Sequence, residues 1–249
     1  MERPEIELLK RAEELLLRSE KTGRITATVF LTPAEQYAIE KQEEAAGRTP
    51  LFYGGAEGCE RRLCFFVPEY LDEEPEYGDF IAALSVKVGF GEPGHRDYLG
   101  ALMGLGIKRE WIGDIRIKDG TATVFVLPSV LRHIKDSLVS VGRYGAKVEE
   151  LPLSEIPPAE IKRKSVCFSV KSPRLDAVCA ALFGVSRSTA ASAIGEGLVS
   201  LNYSPCFKCD ASVKTGDTLS YRGKGKALIG DPGGRSRKDR LFVNAEIYE

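Results

Sequence analysis

Four residues in the last third of the chain have the side chains and the spacing of a phosphate-binding site. Arg174 lies at the start of one short amphipathic segment, and Ser186, Arg187 and Ser188 lie at the start of a second. The first N–H groups of a helix have no partner within the helix, and the helix dipole is positive at that end. Arginines and hydroxyls at two helix starts therefore predict a site for phosphate groups.

A glycine-punctuated run, YRGKGKAL at 221–228, supplies a second set of cations. Its glycines allow the backbone to approach a sugar-phosphate chain closely. We expect three cations of this run to contact phosphates: Arg222, Lys224 and Lys226. Asp176, by contrast, lies in a first helical turn and is predicted to complement the helix dipole or to orient an arginine, not to catalyse a reaction.

The part of the chain that carries these residues is basic, whereas the rest is acidic. Residues 161–249 hold 15 lysines and arginines against eight acidic residues, a net charge of +7. Residues 1–160 hold 20 against 28, a net charge of −8. Because neutralisation of phosphates dominates affinity for nucleic acids, this division favours a basic nucleic-acid-binding module that follows an acidic one.

Length and composition indicate a folded protein with more than one core. The 249 residues are 43% hydrophobic, which is ordinary for a globular protein. The charged N-terminal stretch lacks the apolar region of a signal peptide, and no apolar run approaches the roughly 18 residues that span a bilayer. We therefore expect a cytoplasmic protein without a membrane partner. The six scattered cysteines are expected to be reduced thiols.

The first part of the chain, residues 1–78, is predicted to form an N-terminal α/β domain. Apolar residues at helical spacing predict a helix over about 4–19, and a strand follows at 25–30. Thr32 is expected to cap a second helix, with Pro33 at its first position and Glu35 completing a capping box. Two further strands are expected within 51–70.

Residues 79–153 are predicted to form a ferredoxin-like (RRM-like) domain with the order β-α-β-β-α-β. The strands are expected at 80–90, 112–118, 121–127 and 146–153, and the helices at 95–105 and 128–141. Asp119 and Gly120 separate two alternating strands, a pattern typical of a type I′ hairpin. The predicted fold class is therefore α+β.

A proline-containing linker is predicted at 154–163, followed by a third domain at 164–249. A strand is expected at 164–170, and Ser172 is expected to cap a helix with Pro173 at its first position. Ser186 is expected to cap the next helix. Short strands at 198–202 and 218–222 would complete the unit.

Several spaced motifs of the predicted third domain resemble a known RNA-binding module. Over residues 172–226, the chain is similar to the S4 (αL-type) RNA-binding domain. The shared features, in chain order, are Arg-Leu-Asp at 174–176, Ser-Arg-Ser at 186–188, an alanine-rich helix, Asn202 and Gly216–Asp217. The resemblance implies that the arginines and serines of the helix pair hold the backbone of structured rRNA or tRNA. It assigns RNA binding to Arg174, Ser186, Arg187 and Ser188, and also to Arg222, Lys224 and Lys226. One departure is Tyr203, which stands where many S4 domains have glycine.

With two upstream segments included, nearly the whole chain resembles the YlmH family of bacterial S4 proteins. These segments are FYGGAEGCERRLCFF at 52–66 and GHRDYLGALMGLGIKREWIGDI at 94–115. The family implies binding of rRNA and tRNA, and rescue of stalled large ribosomal subunits in ribosome-associated quality control. It implies no enzymatic reaction. The upstream segments mark a secondary contact with RNA or a partner protein, at Tyr53, Arg61, Arg62, His95, Arg96, Lys108 and Arg109.

The alternative is an RNA-modifying enzyme, such as a pseudouridine synthase or a methyltransferase-like protein, that uses the S4 domain for docking. The glycine-rich GFGEP at 89–93 lacks the spacing of a dinucleotide-binding loop. The two histidines, His95 and His133, belong to no recognisable catalytic set. Cys206 and Cys209 have metal-like spacing without a second pair of ligands. We therefore expect no catalytic residue, metal, cofactor or small-molecule substrate.

Overall fold

A computed structural model describes residues 3–71, 74–160, 162–236 and 239–248. The chain divides into two compact units, Met1–Ala159 and Glu160–Glu249. Each unit combines helices with antiparallel sheets, so the predicted α+β class is confirmed. No single helix in the described ranges is long and apolar enough to cross a membrane, and the helix pair Leu175–Phe183 and Arg187–Gly195 meets that test only when taken together across a bend of 116°.

The first unit begins with two helices and a three-stranded sheet. These elements are α1 (Arg3–Thr22), β1 (Thr26–Ala27), α2 (Pro33–Ala45), β2 (Leu51–Tyr53) and β3 (Leu63–Phe66), and the sheet order is β1-β3-β2. The capping box predicted for α2 is confirmed: Thr32 Oγ1 accepts from the Glu35 N–H at 3.3 Å, and the Glu35 carboxylate accepts from the Thr32 N–H at 2.6 Å. The strand expected at 25–30 is only two residues long.

A five-stranded sheet with two helices follows in the same unit. The elements are β4 (Ala82–Val88), α3 (His95–Gly104), β5 (Ile112–Lys118), β6 (Thr121–Val126), α4 (Pro128–Ser137), β7 (Ser140–Val141) and β8 (Tyr144–Leu151), and the sheet order is β5-β6-β4-β8-β7. Asp119 and Gly120 join β5 to β6 with φ angles of 50° and 73°, as a type I′ turn requires. The helix expected to reach residue 141 ends at Ser137, because Ser140 and Val141 pair back onto β8.

Two hydrophobic clusters lie on opposite faces of this sheet. On one face, α3 and α4 pack their Tyr98, Leu102 and Ile134 against the strands. On the other, Phe30 and Phe65 of the first elements pack with a set from the sheet region: Ile81, Ala83 and Phe125. Because of this shared core, the structure places the predicted domains 1–78 and 79–153 within one compact unit.

Part of the predicted linker at 154–163 also belongs to the first unit. The Ala159 N–H donates to the Glu57 carbonyl at 2.9 Å, and the Pro157 carbonyl accepts from Arg116 at 3.2 Å. The division between the units falls after Ala159, so this segment is attached to the first unit over its first six residues.

The second unit is a six-stranded sheet that carries two short helices. Its elements are β9 (Arg163–Val170), α5 (Leu175–Phe183), α6 (Arg187–Gly195), β10 (Val199–Leu201), β11 (Ser204–Pro205), β12 (Thr218–Tyr221), β13 (Gly225–Arg235) and β14 (Leu241–Tyr248). The order is β11-β10-β12-β13-β14-β9. Leu175, Val178 and Ile194 of the helices are fully buried in a core with strand residues such as Leu219 and Val243.

The start of α5 differs from the prediction that Ser172 caps this helix. The helix begins at Leu175, with Arg174 at the N-cap position. The Pro173 carbonyl accepts from the Val213 N–H at 2.8 Å, and the Leu175 N–H donates to the Ala211 carbonyl at 2.9 Å. Backbone pairing with residues 211–213 therefore takes the place of the first helical turn that the sequence indicated.

Candidate nucleic-acid interface

The start of α5 and the start of α6 place two arginines around one carboxylate. Arg174 precedes the first residue of α5, and Arg187 is the first residue of α6. Arg174 Nε lies 3.3 Å from Asp176 Oδ1, and Arg187 Nη2 lies 2.5 Å from Asp176 Oδ2. The Asp176 side chain is 9% exposed, whereas those of Arg174 and Arg187 are 44% and 63% exposed. The cluster thus turns two guanidinium groups toward solvent over one buried negative charge.

Asp176 is ionised in this cluster. Burial opposes the charged form, but the hydrogen bonds from Arg187 and Arg174 outweigh it, so the pKa of Asp176 lies below its ordinary value. An ionised carboxylate fixes both guanidinium groups by charge-assisted hydrogen bonds. Asp176 therefore orients the arginines, one of the two roles that the sequence predicted for it.

Ser186 stabilises the helix start that carries Arg187. Its Oγ accepts from the Thr189 N–H at 3.0 Å, as an N-cap residue does. The same oxygen lies 2.8 Å from both Ser188 Oγ and Thr189 Oγ1. The capping role predicted for Ser186 is confirmed, and Arg187 and Ser188 are exposed beside it.

Two cations that sequence reasoning did not assign to the site lie beside the arginine pair. A surface depression lined by Ala177, Ala180 and Ala181 has Lys171, Arg174, Arg187 and Arg240 at its edge. Arg240 Nε donates to Ser169 Oγ at 3.0 Å, and its Nη2 donates to the Ser169 carbonyl. We call the depression edged by Lys171, Arg174, Arg187 and Arg240 the basic depression. Lys171 was identifiable as the cation closest before the helix, whereas Arg240 directly precedes β14 and is brought here by the β14–β9 pairing.

The second predicted set of cations lies elsewhere on this unit. Arg222 and Lys224 are exposed in the turn between β12 and β13. That turn lies beside the last residue of α5, since the Phe183 and Tyr221 rings are 5.7 Å apart. Arg174 precedes the first residue of the same nine-residue helix, so the two sets are separated by about 13 Å of helix. Lys226 is half-buried, with its Nζ 4.5 Å from the centre of the Tyr248 ring.

The arginines of the first upstream motif are bonded within the first unit. Arg61 donates to the Ile112 carbonyl at 3.1 Å and to the Phe30 carbonyl at 2.9 Å, and burial lowers its pKa. Arg62 Nε donates to Gln36 at 2.7 Å. Tyr53 stacks on Tyr77 with 4.1 Å between ring centres.

A carboxylate from β5 completes this internal arrangement. Asp114 accepts from the Glu60 and Arg61 N–H groups at 2.8 and 2.9 Å. The N–H groups that precede β3 are thereby fixed to β5, so this motif joins the first elements to the five-stranded sheet.

The second upstream motif is divided between exposed and internal residues. His95 and Arg96 lie exposed in the first turn of α3. Lys108 is exposed, with its Nζ 5.3 Å from the Trp111 ring centre. Arg109 is half-buried, and its Nη1 donates to the Ile112 carbonyl at 2.5 Å. Three of the four predicted residues are thus accessible to a partner.

Residues suited to metal binding do not cluster in the described part of the chain. No three histidine, cysteine, aspartate or glutamate side chains there are placed to hold an ion. Cys206 and Cys209 are half-buried free thiols, and the Cys209 sulfur lies 3.9 Å from the Ala191 carbonyl. The arrangement with identifiable chemistry is therefore the anion-attracting cluster of arginines.

Comparisons with known proteins agree with the family resemblance. Residues 73–155 match the family model described as "Putative RNA-binding domain in YlmH". The chain is 32% identical over 228 residues, 90% of its own length and 87% of the relative's, to the protein named "Ribosome-associated protein quality control protein P2" of Bacillus subtilis (strain 168). Its fold is similar to that of the solved "Cell division protein ylmH from Streptococcus pneumoniae", with a TM-score of 0.54 at 20% identity, over 63% of this chain and 96% of that one. The chain belongs to the YlmH family.

Proposed function

We propose that this chain is a non-catalytic RNA-binding factor that acts in the cytoplasm on the large ribosomal subunit, where it binds structured rRNA and tRNA during rescue of stalled translation. The name of the Bacillus subtilis relative supports a role in ribosome-associated quality control. The match of residues 73–155 to a family model for RNA binding supports RNA as the ligand.

The observation that carries the proposal is the arginine pair held by Asp176. Two exposed guanidinium groups, fixed in orientation at two helix starts, suit the paired oxygens of backbone phosphates. Arg174, Arg187 and Ser188 are proposed to contact phosphates directly, while Ser186 maintains the helix start. Phosphate contacts hold an RNA in register without reading its bases, which suits a structured RNA recognised by shape.

The fold supports two finer assignments. We propose that residues 164–249 are an S4 (αL-type) RNA-binding domain, because the paired helices carry the arginines and serines of that resemblance at their starts. We propose that residues 79–153 are a ferredoxin-like domain, because β4, α3, β5, β6, α4 and β8 follow one another in the β-α-β-β-α-β order.

The remaining predicted contacts differ in how accessible they are. Arg222 and Lys224 are exposed and are proposed as further phosphate contacts of the second unit, with Lys226 beside them. In the first unit, exposure favours His95, Arg96 and Lys108 as the secondary contact. Contact of RNA or a partner with Tyr53, Arg61, Arg62 and Arg109 stays a prediction, and the internal hydrogen bonds of the three arginines argue for a structural role.

Crosslinking of the protein to RNA in growing bacterial cells, followed by sequencing of the bound fragments, tests the proposal. Reads clustered on large-subunit rRNA together with tRNA would support it. Reads concentrated on one stem that carries a modified base, with the modification lost in cells without the protein, would instead establish the RNA-modifying enzyme.

A further inference from the structure

One face of the five-stranded sheet in the first unit is covered over only part of its area. Side chains opposite each other across an antiparallel pair lie on the same face. Ala83 lies opposite Phe125 and Leu151, and this row packs against Phe30 and Phe65 from the first elements of the chain. The covered part of the face is therefore apolar.

Two rows further along the strands, the same face is basic and exposed. Lys87 lies opposite Lys147 on one side and Thr121 on the other, and Lys118 also lies opposite Thr121. All three lysines are exposed. Because neighbouring strands are about 4.8 Å apart, Lys118 on β5, Lys87 on β4 and Lys147 on β8 form a row across about 14 Å. We call these residues the lysine row.

The row between the covered and the basic parts contains hydroxyls, one acid and Arg116, which lies opposite Thr123 and donates to the Glu57 and Pro157 carbonyls. Ser85 lies opposite Thr123 and Glu149. Glu149 Oε1 lies 2.6 Å from Lys147 Nζ, and both side chains are more than half exposed. This part of the face thus presents three lysines, three hydroxyl side chains and a single carboxylate beside the half-buried Arg116, which gives it a net positive charge.

An exposed aromatic residue, Phe90, lies two residues after the end of β4 and contacts the helix-covered side of the sheet, where Tyr144 packs. Phe90 is 75% exposed, and its ring meets the edge of the Tyr144 ring with 5.6 Å between centres. The Arg143 guanidinium lies 5.2 Å from the Tyr144 ring centre. On the lysine row's own face, the feature shared with sites for single-stranded nucleic acid is therefore the track of cations, without the ring. The match of residues 73–155 to a family model for RNA binding favours RNA over an acidic protein as the occupant.

We propose that the exposed part of this sheet face binds the phosphate backbone of an RNA strand, with Lys87, Lys118 and Lys147 as the phosphate contacts. This inference rests on the proposed RNA-binding function and adds a contact surface to the first unit, on the sheet face opposite α3 with its His95 and Arg96. The match of residues 73–155 to an RNA-binding family model spans the whole row. Lys147 would exchange Glu149 for a phosphate, so Glu149 competes with RNA for that lysine.

The test uses the full-length protein and fluorescence anisotropy with two probes, a short single-stranded RNA of mixed sequence and bulk tRNA. Each phosphate contact to a single strand contributes about 0.7 to the slope of log affinity against log salt. The variant with Lys87, Lys118 and Lys147 all changed to Ala should lower the slope on the single-stranded probe by about 2 and weaken binding at least about tenfold at low salt. Glu149→Gln should tighten binding.

The matched control is Lys135→Ala. Lys135 pairs with Glu150 at 3.1 Å, as Lys147 pairs with Glu149, but Glu150 lies opposite Leu84 on the helix-covered face. This variant should retain the parent slope. A second triple variant with Arg in place of each lysine should restore binding, which separates loss of charge from loss of folding.

The failure of this inference is distinguishable from failure of the proposed function. If the parent protein binds neither probe, the RNA-binding function itself is wrong. If the parent binds and Arg187→Ala weakens binding while the triple alanine variant keeps the parent slope, only the lysine row is overturned. If the triple alanine variant keeps the parent slope on RNA but no longer binds an acidic protein that the parent binds, the face is assigned to that protein instead.

Discussion

The Arg187 guanidinium at the start of α6 donates to the Asp176 carboxylate in the first turn of α5, so a single buried acid connects two helix starts. The pairing spans 11 positions of the chain. It gives Arg187 a fixed direction while leaving its side chain 63% exposed. A guanidinium held in this way loses less side-chain entropy when it binds a phosphate than a freely moving one does.

Arg187→Ala should weaken RNA binding by a similar factor for different RNA sequences, because phosphate contacts do not read bases. The slope of log affinity against log salt should fall by about 1, since one phosphate contact is lost. Arg132→Ala is the matched control, because Arg132 also pairs with a carboxylate, Asp136 at 3.7 Å, but lies on α4 of the first unit, outside the proposed contacts. Equal affinity of Arg187→Ala and parent across a salt titration would remove Arg187 from the interface.

Asp176→Asn should destabilise the second unit by about 1 to 2 kcal/mol near neutral pH, a value reduced by the exposure of both arginines. The folded-state pKa of Asp176 lies below its unfolded value of about 3.9. The stabilisation is therefore present above that pH and is lost as the pH falls through the folded-state pKa. Urea denaturation at pH 7 and pH 3 should show a parent–variant difference that shrinks in acid. A difference that stays constant would contradict the ion-pair explanation.

Gly55→Ala should destabilise the first unit strongly. Gly55 has a φ of 101°, and an added Cβ would lie 2.3 Å from Cδ1 of the buried Phe125 ring. Strain and overpacking together are expected to cost about 3 kcal/mol or more. Gly47→Ala is the control, since Gly47 has a φ of 75° but open space around its Cα, and about 1 kcal/mol is expected. Thermal unfolding of the two variants measures how much stability each one loses. Equal losses would mean that the contact with Phe125 adds nothing to the cost of a side chain at positive φ.

Tyr203→Gly should stabilise the second unit. Asn202 and Tyr203 form the two-residue turn between β10 and β11, with φ angles of 49° and 67°. A side chain at positive φ costs roughly 1 to 2 kcal/mol, and glycine avoids that cost. Part of the gain is offset because glycine has more freedom in the unfolded chain, so a rise of about 1 kcal/mol or less is expected from urea denaturation. A fall in stability would show that the Tyr203 ring contributes more through packing than the turn costs.

Features set by neighbouring residues were predictable from the sequence. The Thr32–Glu35 capping box and the Asp119–Gly120 turn depend on contacts within four positions, and both form as expected. The Asp176 carboxylate was also assigned correctly as a group that orients an arginine. Arg187 lies at the helix start that the Ser186 capping pattern marked, whereas the pattern for α5, with Ser172 as cap, placed that helix start two residues too early.

Features that depend on distant partners were not predictable in this way. Arg61 precedes an apolar strand and looks like a surface cation, but its hydrogen-bond acceptors lie 31 and 51 positions away. Strand β13 contains GDPGG, which is typical of a loop, and it pairs with β14 only through register shifts around Pro232. Arg240 reaches the basic depression through that same hairpin. No local pattern encodes these pairings.

Strand β9 pairs with β14, although β9 opens the second unit and its Arg163 bonds to Glu246, 83 positions later. Among the described strands, β14 is also the only neighbour of β9. The sheet therefore cannot assemble vectorially during synthesis, because β9 has no partner until residues 241–248 have left the exit tunnel. Closing so long a loop is slow compared with forming two short helices. A newly made copy of this protein is thus expected to complete its basic depression late in folding, with the pairing of β9 and β14 as the last step.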